Sequence, residues 1–110
     1  MKFVEGESEL MQKAVKEFLE NNHLYCGEQI RYIDLSSEVG ELGKEIIKST
    51  NYGKQQYSLN ESTLEEMGDC LFSLLALCCE MNIDADQSLQ YALEKYQERL
   101  GIKGTIDSGR

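Results

Sequence analysis

The sequence predicts an all-α fold. Three observations carry that expectation. No proline occurs in 110 residues, apolar residues recur at three- and four-residue spacing through most of the chain, and turn formers gather at a few short breaks. Proline removes a backbone donor and clashes with the preceding turn, so long helices exclude it. The first helix is expected over residues 7–21, where Leu10, Met11, Ala14, Val15, Phe18 and Leu19 share one face and Ser8 serves as N-cap. Asn21 and Asn22 end it, and His23 to Gly27 leads into a second helix over 28–49.

Thr50 to Asn60 reads as the one substantial loop, with Asn51, Gly53 and Asn60 as turn formers and Lys48 and Lys54 on its flanks. Ser62-Thr63-Leu64-Glu65 reads as a capping box that opens a third helix running to about Asn82. Its centre, Cys70 to Cys79, is apolar on nearly every side. Such a helix needs burial around most of its circumference, which a lone protomer of this size does not provide. The expectation is therefore a four-helix bundle completed by oligomerisation, as a homodimer or homotetramer. Asp84, with Gln87 three residues on, starts a fourth helix that reaches about Leu100 and stops at Gly101. Gly101, Gly104 and Gly109 mark a flexible tail over 101–110, which leaves a single domain over 1–100.

Charge narrows the function classes. Twenty acidic against 11 basic residues give a formal net charge of -9, which disfavours nucleic-acid polymers and anionic membranes as partners. No apolar run is long enough to span a bilayer, and the opening residues lack the apolar core of a signal peptide. The four cysteines (Cys26, Cys70, Cys78 and Cys79) show no CxxC spacing. They read as reduced, buried or half-buried thiols of a cytoplasmic protein.

Two motifs stand apart. Glu38-Val39-Gly40-Glu41 and Glu66-Met67-Gly68-Asp69 each place two carboxylates three residues apart, on one helix face about a turn apart. On the second helix, Asp34, Glu38, Glu41 and Glu45 fall within an arc of about 60° at roughly 100° per residue, beside an apolar arc of Leu35, Val39, Leu42 and Ile46. Glu66, Asp69 and Ser73 share the polar stripe of the apolar third helix, and Glu80 continues it. Gly40 and Gly43 weaken the second helix by up to about 1 kcal/mol each relative to alanine. A single pair of acids on a helix is ordinarily a solvated face. Two pairs on two long helices raise a second reading, four oxygen ligands converging on a hard divalent cation, magnesium or manganese. The only histidine, His23, lies outside both motifs, so the glutamate–histidine pairs of di-iron bundles are absent.

These residues resemble the MazG-type family of all-α nucleoside triphosphate pyrophosphohydrolases. The resemblance rests on E-x-x-E, 24 intervening residues and E-x-x-D, on the wording Glu38-Val39-Gly40-Glu41-Leu42 and Glu65-Glu66-Met67-Gly68-Asp69-Cys70-Leu71-Phe72, and on the run from Ile83 through Ala92 to Lys95-Tyr96 and Arg99. It covers roughly residues 28–100. It implies a helical dimer or tetramer that cleaves ribo- or deoxyribonucleoside triphosphates to monophosphate and pyrophosphate, with a house-cleaning role against non-canonical nucleotides. It also implies magnesium ligands at Glu38, Glu41, Glu66 and Asp69, and it favours a phosphate clamp at Lys95 and Arg99 over a solvated basic pair at a helix end. Lys54, in the loop after the second helix, is a further candidate phosphate contact, from its own or a neighbouring subunit. Many members carry an acid immediately before the first motif glutamate, where this chain has Ser37. The base that activates water is then sought at Glu45, one turn on, or at Glu41. A narrow dUTP or dCTP hydrolase of the same superfamily and a non-catalytic acidic helical module are the competing readings.

Overall fold

The computed structural model describes residues 7–103, with side-chain surroundings for residues 10–101. Four helices follow in order, α1 (Glu7–Asn21), α2 (Glu28–Ser49), α3 (Glu61–Glu80) and α4 (Ala85–Lys103), with no strand among the described residues. The all-α class is as the sequence predicts. Three boundary details differ from it. Ser8 lies inside α1 rather than ahead of it. The N-cap of α3 is Asn60, whose Oδ1 accepts from the Thr63 N–H at 2.8 Å, so the helix has already begun at Ser62. Finally, α4 runs through Gly101 to Lys103, because a glycine inside a helix weakens it without ending it. Residues 104–110 of the expected tail lie outside the described residues.

The connections are held by specific side chains. Asn60 also donates through Nδ2 to Ser49 Oγ at 2.8 Å, tying the start of α3 to the end of α2. Asp84 Oδ1 accepts from the N–H groups of Asp86 (3.0 Å) and Gln87 (3.4 Å), the expected cap of α4. Gln12 reaches from α1 to the same junction. Its Nε2 donates to Ile83 O at 2.8 Å, and its Oε1 accepts from Ala85 N–H at 2.9 Å. Gly27 enters α2 at φ 96° and ψ 154°, a conformation that only glycine adopts without strain.

α2 and α3 make the most extensive helix pair; α1 packs on α3, and α4 on α1. Leu19, Leu75 and Ala76 are buried, and Phe18 meets Phe72 edge-to-face at 5.8 Å between ring centres. The centre of α3 is less enclosed than its composition requires, since Leu71 and Leu74 remain 42% and 47% exposed in the protomer. Cys26 is exposed rather than buried, whereas Cys70, Cys78 and Cys79 are half-buried, all as free thiols.

Polar residues run along the α2–α3 contact in antiparallel order. Asn60 faces Ser49, and the buried Ser73 hydroxyl lies 3.3 Å from Asp34 Oδ2. At the far end Arg31 meets Glu80, with side chains only 10% and 6% exposed. Arg31 Nη2 donates to Leu24 O at 2.6 Å. Its Nε lies 3.5 Å from Glu80 Oε2, near enough for charge attraction but outside hydrogen-bond alignment. Its Nη1 is 3.9 Å from Asp34, and its guanidinium stands 6.0 Å from the centre of the Phe72 ring. Glu80 Oε2 in turn accepts from Cys26 N–H at 2.8 Å. One ion pair thus joins α2, α3 and the α1–α2 connection.

Removing one member of this pair leaves the other charge buried. Arg31→Met is expected to cost about 3–5 kcal/mol, and the double variant Arg31→Met/Glu80→Gln markedly less than the two single costs added, in a chemical-denaturation double-mutant cycle. At the other end, Asn60→Ala is expected to lose about 1 kcal/mol or more and Ser62→Ala to stay within about 0.5 kcal/mol. Equal losses would contradict the assignment of Asn60 as the cap.

Candidate metal centre

Between its two ends, the α2–α3 contact gathers acids, with the Ser73 hydroxyl against Asp34 beside them. α2 contributes Glu38 because its polar arc faces α3, and α3 contributes Glu66 and Asp69 from the matching face. One carboxylate oxygen from each of the three lies within 4.8 Å of the others; Glu38 and Glu66 are half-buried, and Asp69 is exposed. Glu41, one turn on from Glu38, stands outside this triad and is exposed.

The electrostatics match this crowding. The Glu38 carboxyl is raised above its usual value of 4.5 by partial burial, then by the charges of Asp69, Asp34 and Glu41. Glu66 is raised from 4.5 by partial burial, then by its hydrogen bond with Asp69 and the charges of Asp69, Glu41 and Glu38. Glu41 therefore belongs to the same field although its oxygens do not join the triad. The neighbouring Cys70 thiol is raised above 9.0 by burial and by Glu38, Glu66 and Asp69. The three groups that converge are all carboxylates, a donor set made of oxygen alone. Such a set suits a hard divalent cation of the magnesium type better than zinc or copper.

Two openings adjoin the triad. An acidic cleft of about 470 Å³ is lined by Glu45, Ser62, Glu65, Glu66 and Asp69. A second pocket of about 510 Å³ is lined by Ala14, Val15, Phe18, Phe72 and, again, Asp69. The predicted Glu45 thus lies at the cleft with two of the predicted ligands. Lys54 does not; it is exposed in the turn after α2, its N–H on Asn51 O at 3.2 Å. Lys95 and Arg99 sit on α4 over the faces of Tyr96, at 5.1 and 5.8 Å, and line neither opening. Tyr52 and Tyr57 are exposed. No protomer neighbour explains Gly40 or Gly43, since a Cβ at either would meet nothing within 4 Å.

Sequence reasoning missed Arg31 and the contact of Phe18 with Phe72. The signal for Arg31 was present, three residues before Asp34 and on the same arc as the acids. Phe18 looked like ordinary core; that it meets Phe72 beside Asp69 depends on how α1 crosses α3.

A raised carboxyl means that the fold binds more protons than the unfolded chain across that window, so stability falls as pH rises through the raised values. Metal-free Glu66→Gln is accordingly expected to melt above the unaltered protein at pH 7, with the gap narrowing as pH falls towards 4.5. Added magnesium should stabilise the unaltered protein more than the variant. A metal-free variant that melts lower at pH 7 would show that these acids do not repel one another.

Comparison with curated proteins and with solved structures gives no significant match. The family model described as the MazG nucleotide pyrophosphohydrolase domain matches residues 29–100, which contain the whole triad, the cleft residues and the Lys95–Arg99 segment. The convergence of Glu38, Glu66 and Asp69 between two antiparallel helices lies at the centre of that match, and the chain belongs to the MazG nucleotide pyrophosphohydrolase family.

Proposed function

We propose that the protein hydrolyses ribo- or deoxyribonucleoside triphosphates to monophosphate and pyrophosphate, with magnesium, or manganese in its place, held by Glu38, Glu66 and Asp69 and supported by Glu41. The observation that carries this reading is the triad itself, three carboxylates within 4.8 Å of one another beside an open cleft. A bound divalent cation would supply positive charge that draws phosphates into an otherwise repelling site and would acidify water held there. The protein's own part is placement. The triad sits on helices already clamped at both ends, so the acids need little rearrangement to bind. Glu45, at the cleft, is assigned to accept the proton of the attacking water, since Ser37 offers no acid before Glu38. The water oxygen bonds to phosphorus, its proton passes to Glu45, and pyrophosphate leaves with the electron pair of the broken anhydride. The pocket of Phe18 and Phe72, which shares Asp69 with the cleft, offers a flat apolar slot for a nucleobase.

The competing idea of a charge-mimicking helical module requires the acids on an outer face. Glu38 and Glu66 instead converge between helices and are half-buried. Removal of surplus or non-canonical nucleotides is the cellular role that this reading proposes, in the cytoplasm. No helix among the described residues is long and apolar enough to cross a membrane.

Product analysis tests the reading. With magnesium, one or more triphosphates should give monophosphate and pyrophosphate, and chelator should abolish the reaction. Release of diphosphate and orthophosphate, or turnover in chelator, would reject it. Glu66→Gln should lower turnover by on the order of 10²–10³-fold while the protein stays folded. Glu45→Gln should lower turnover by roughly 10²–10⁴-fold with little change in metal affinity. An unchanged rate would remove Glu45 from the mechanism.

A further inference from the structure

The polar row between α2 and α3 holds one pair that belongs neither to the two clamped ends nor to the triad. Asp34 stands four residues before Glu38 on α2, and Ser73 stands four residues after Asp69 on α3. Because the helices run antiparallel, Asp34 and Ser73 form the layer next to Glu38 and Asp69, on the side away from Glu45. Residues four apart on a helix are about 5–6 Å from each other between Cβ atoms. Asp34 is not one of the converging acids, which are Glu38, Glu66 and Asp69. Its charge still reaches them, since it is one of the causes that raise Glu38.

The way Asp34 is held is specific. Ser73 is 1% exposed, and its hydroxyl donates to Asp34 Oδ2 at 3.3 Å. A buried hydroxyl is costly without an acceptor, and packing alone would be met by alanine. Arg31 Nη1 lies 3.9 Å from the same oxygen. Arg31 does not need Asp34 to balance its charge, because Glu80 already lies beside it and Leu24 O accepts from it. Both contacts of Asp34 fall on Oδ2. Among the described residues no hydrogen bond goes to Oδ1, and the side chain is 46% exposed. One oxygen is thus tied to the protein, and the other is left for a partner outside it.

A magnesium-type cation keeps several of its waters, and protein groups outside the ligand shell orient what the metal holds. Glu45 stands on one side of the triad, at the cleft. On the other side Glu80 is already taken by Arg31 and the Cys26 N–H, whereas Asp34 keeps a free oxygen.

We propose that Asp34 is a positioning residue for the metal centre, tied through Oδ2 to Ser73 and Arg31 so that Oδ1 accepts a hydrogen bond from a water on the cation held by Glu38, Glu66 and Asp69. The inference rests on the metal-centre reading of that triad and adds no ligand to it. Asp34 holds the water in one orientation and places negative charge one layer from the cation. Ser73 and Arg31 act through Asp34, by fixing its side chain before a metal binds. Arg31 therefore serves both the Glu80 clamp and the metal centre.

Manganese alone, added to the full-length protein without nucleotide, tests this. Free manganese read by electron paramagnetic resonance gives the Kd. Asp34→Asn keeps the shape and an acceptor for Ser73, and it should raise the Kd by about tenfold or more. Ser73→Ala changes no charge and should raise it by roughly threefold or more. Glu28→Gln removes an exposed acid of α2 about 15 Å along the helix from Glu38, and its Kd should stay unchanged. The water-proton relaxation enhancement of bound manganese, which reads how its waters are held, should shift in Asp34→Asn and Ser73→Ala but not in Glu28→Gln. Helical content should be retained throughout; Ser73→Cys, close in size and a weaker donor, replaces Ser73→Ala if that variant does not fold. An unchanged Kd or enhancement in Asp34→Asn overturns the proposal. So does a loss in Asp34→Asn with none at Ser73, or an equal loss in Glu28→Gln, since either means that charge alone is at work. If the unaltered protein binds manganese but cleaves no triphosphate, the proposed function fails by itself and these measurements still decide Asp34. If it binds no manganese, both fall.

Discussion

The polar contact between α2 and α3 is the constraint on which the rest of the molecule depends. Burying ionised groups is costly unless they are paired, and this contact pairs them at one end only. Arg31 and Glu80, with Leu24 O and Cys26 N–H as further partners, form a charge-paired cluster where α1, α2 and α3 meet, with the Arg31 Nε left without a hydrogen bond. Asn60 and Ser49 close the opposite end with a neutral hydrogen bond. Between them Glu38, Glu66 and Asp69 are left facing one another. The two clamps oppose the repulsion of the acids, so the three carboxylates are held close together by the packing around them.

The electrostatic pattern assigns different tasks to residues of similar type. Glu80 and Glu66 are both glutamates on the polar side of α3. Glu80 has a guanidinium and a backbone donor, and it serves as structure. Glu66 has only other acids around it and sits above its usual pKa. Asp34 lies between the two regimes, with Arg31 at 3.9 Å on one side and the Ser73 hydroxyl at 3.3 Å on another.

Much of this was legible in the sequence, for reasons that can be stated. The spans of α1 and α2 follow from apolar periodicity and from the asparagines and glycine at their ends. Glu38, Glu66 and Asp69 could be set on facing arcs because a spacing of three or four fixes direction on a helix. Other features depend on how helices cross, which periodicity does not encode. Arg31 was visible one turn before Asp34, yet its partner Glu80 is 49 residues away in the chain. The cap of α3 was misread because Ser62-Thr63-Leu64-Glu65 satisfies the capping-box pattern, while Asn60 wins by bonding Thr63 and Ser49 together. Gly101 was read as a stop, but α4 continues past it.

Gln12 carries a consequence for the order in which the chain assembles. α2 and α3 are consecutive, and their contacts close a short loop, so they can pair as soon as both have left the ribosome. α1 emerges before either, but its side-chain anchors lie at Ile83 and Ala85, more than seventy residues downstream. The apolar face of α1 can therefore settle on α3 through Phe18 and Phe72 first, while its Gln12 anchor is fixed last. A stall in synthesis before residue 85 would leave α2 and α3 paired and α1 without its anchor.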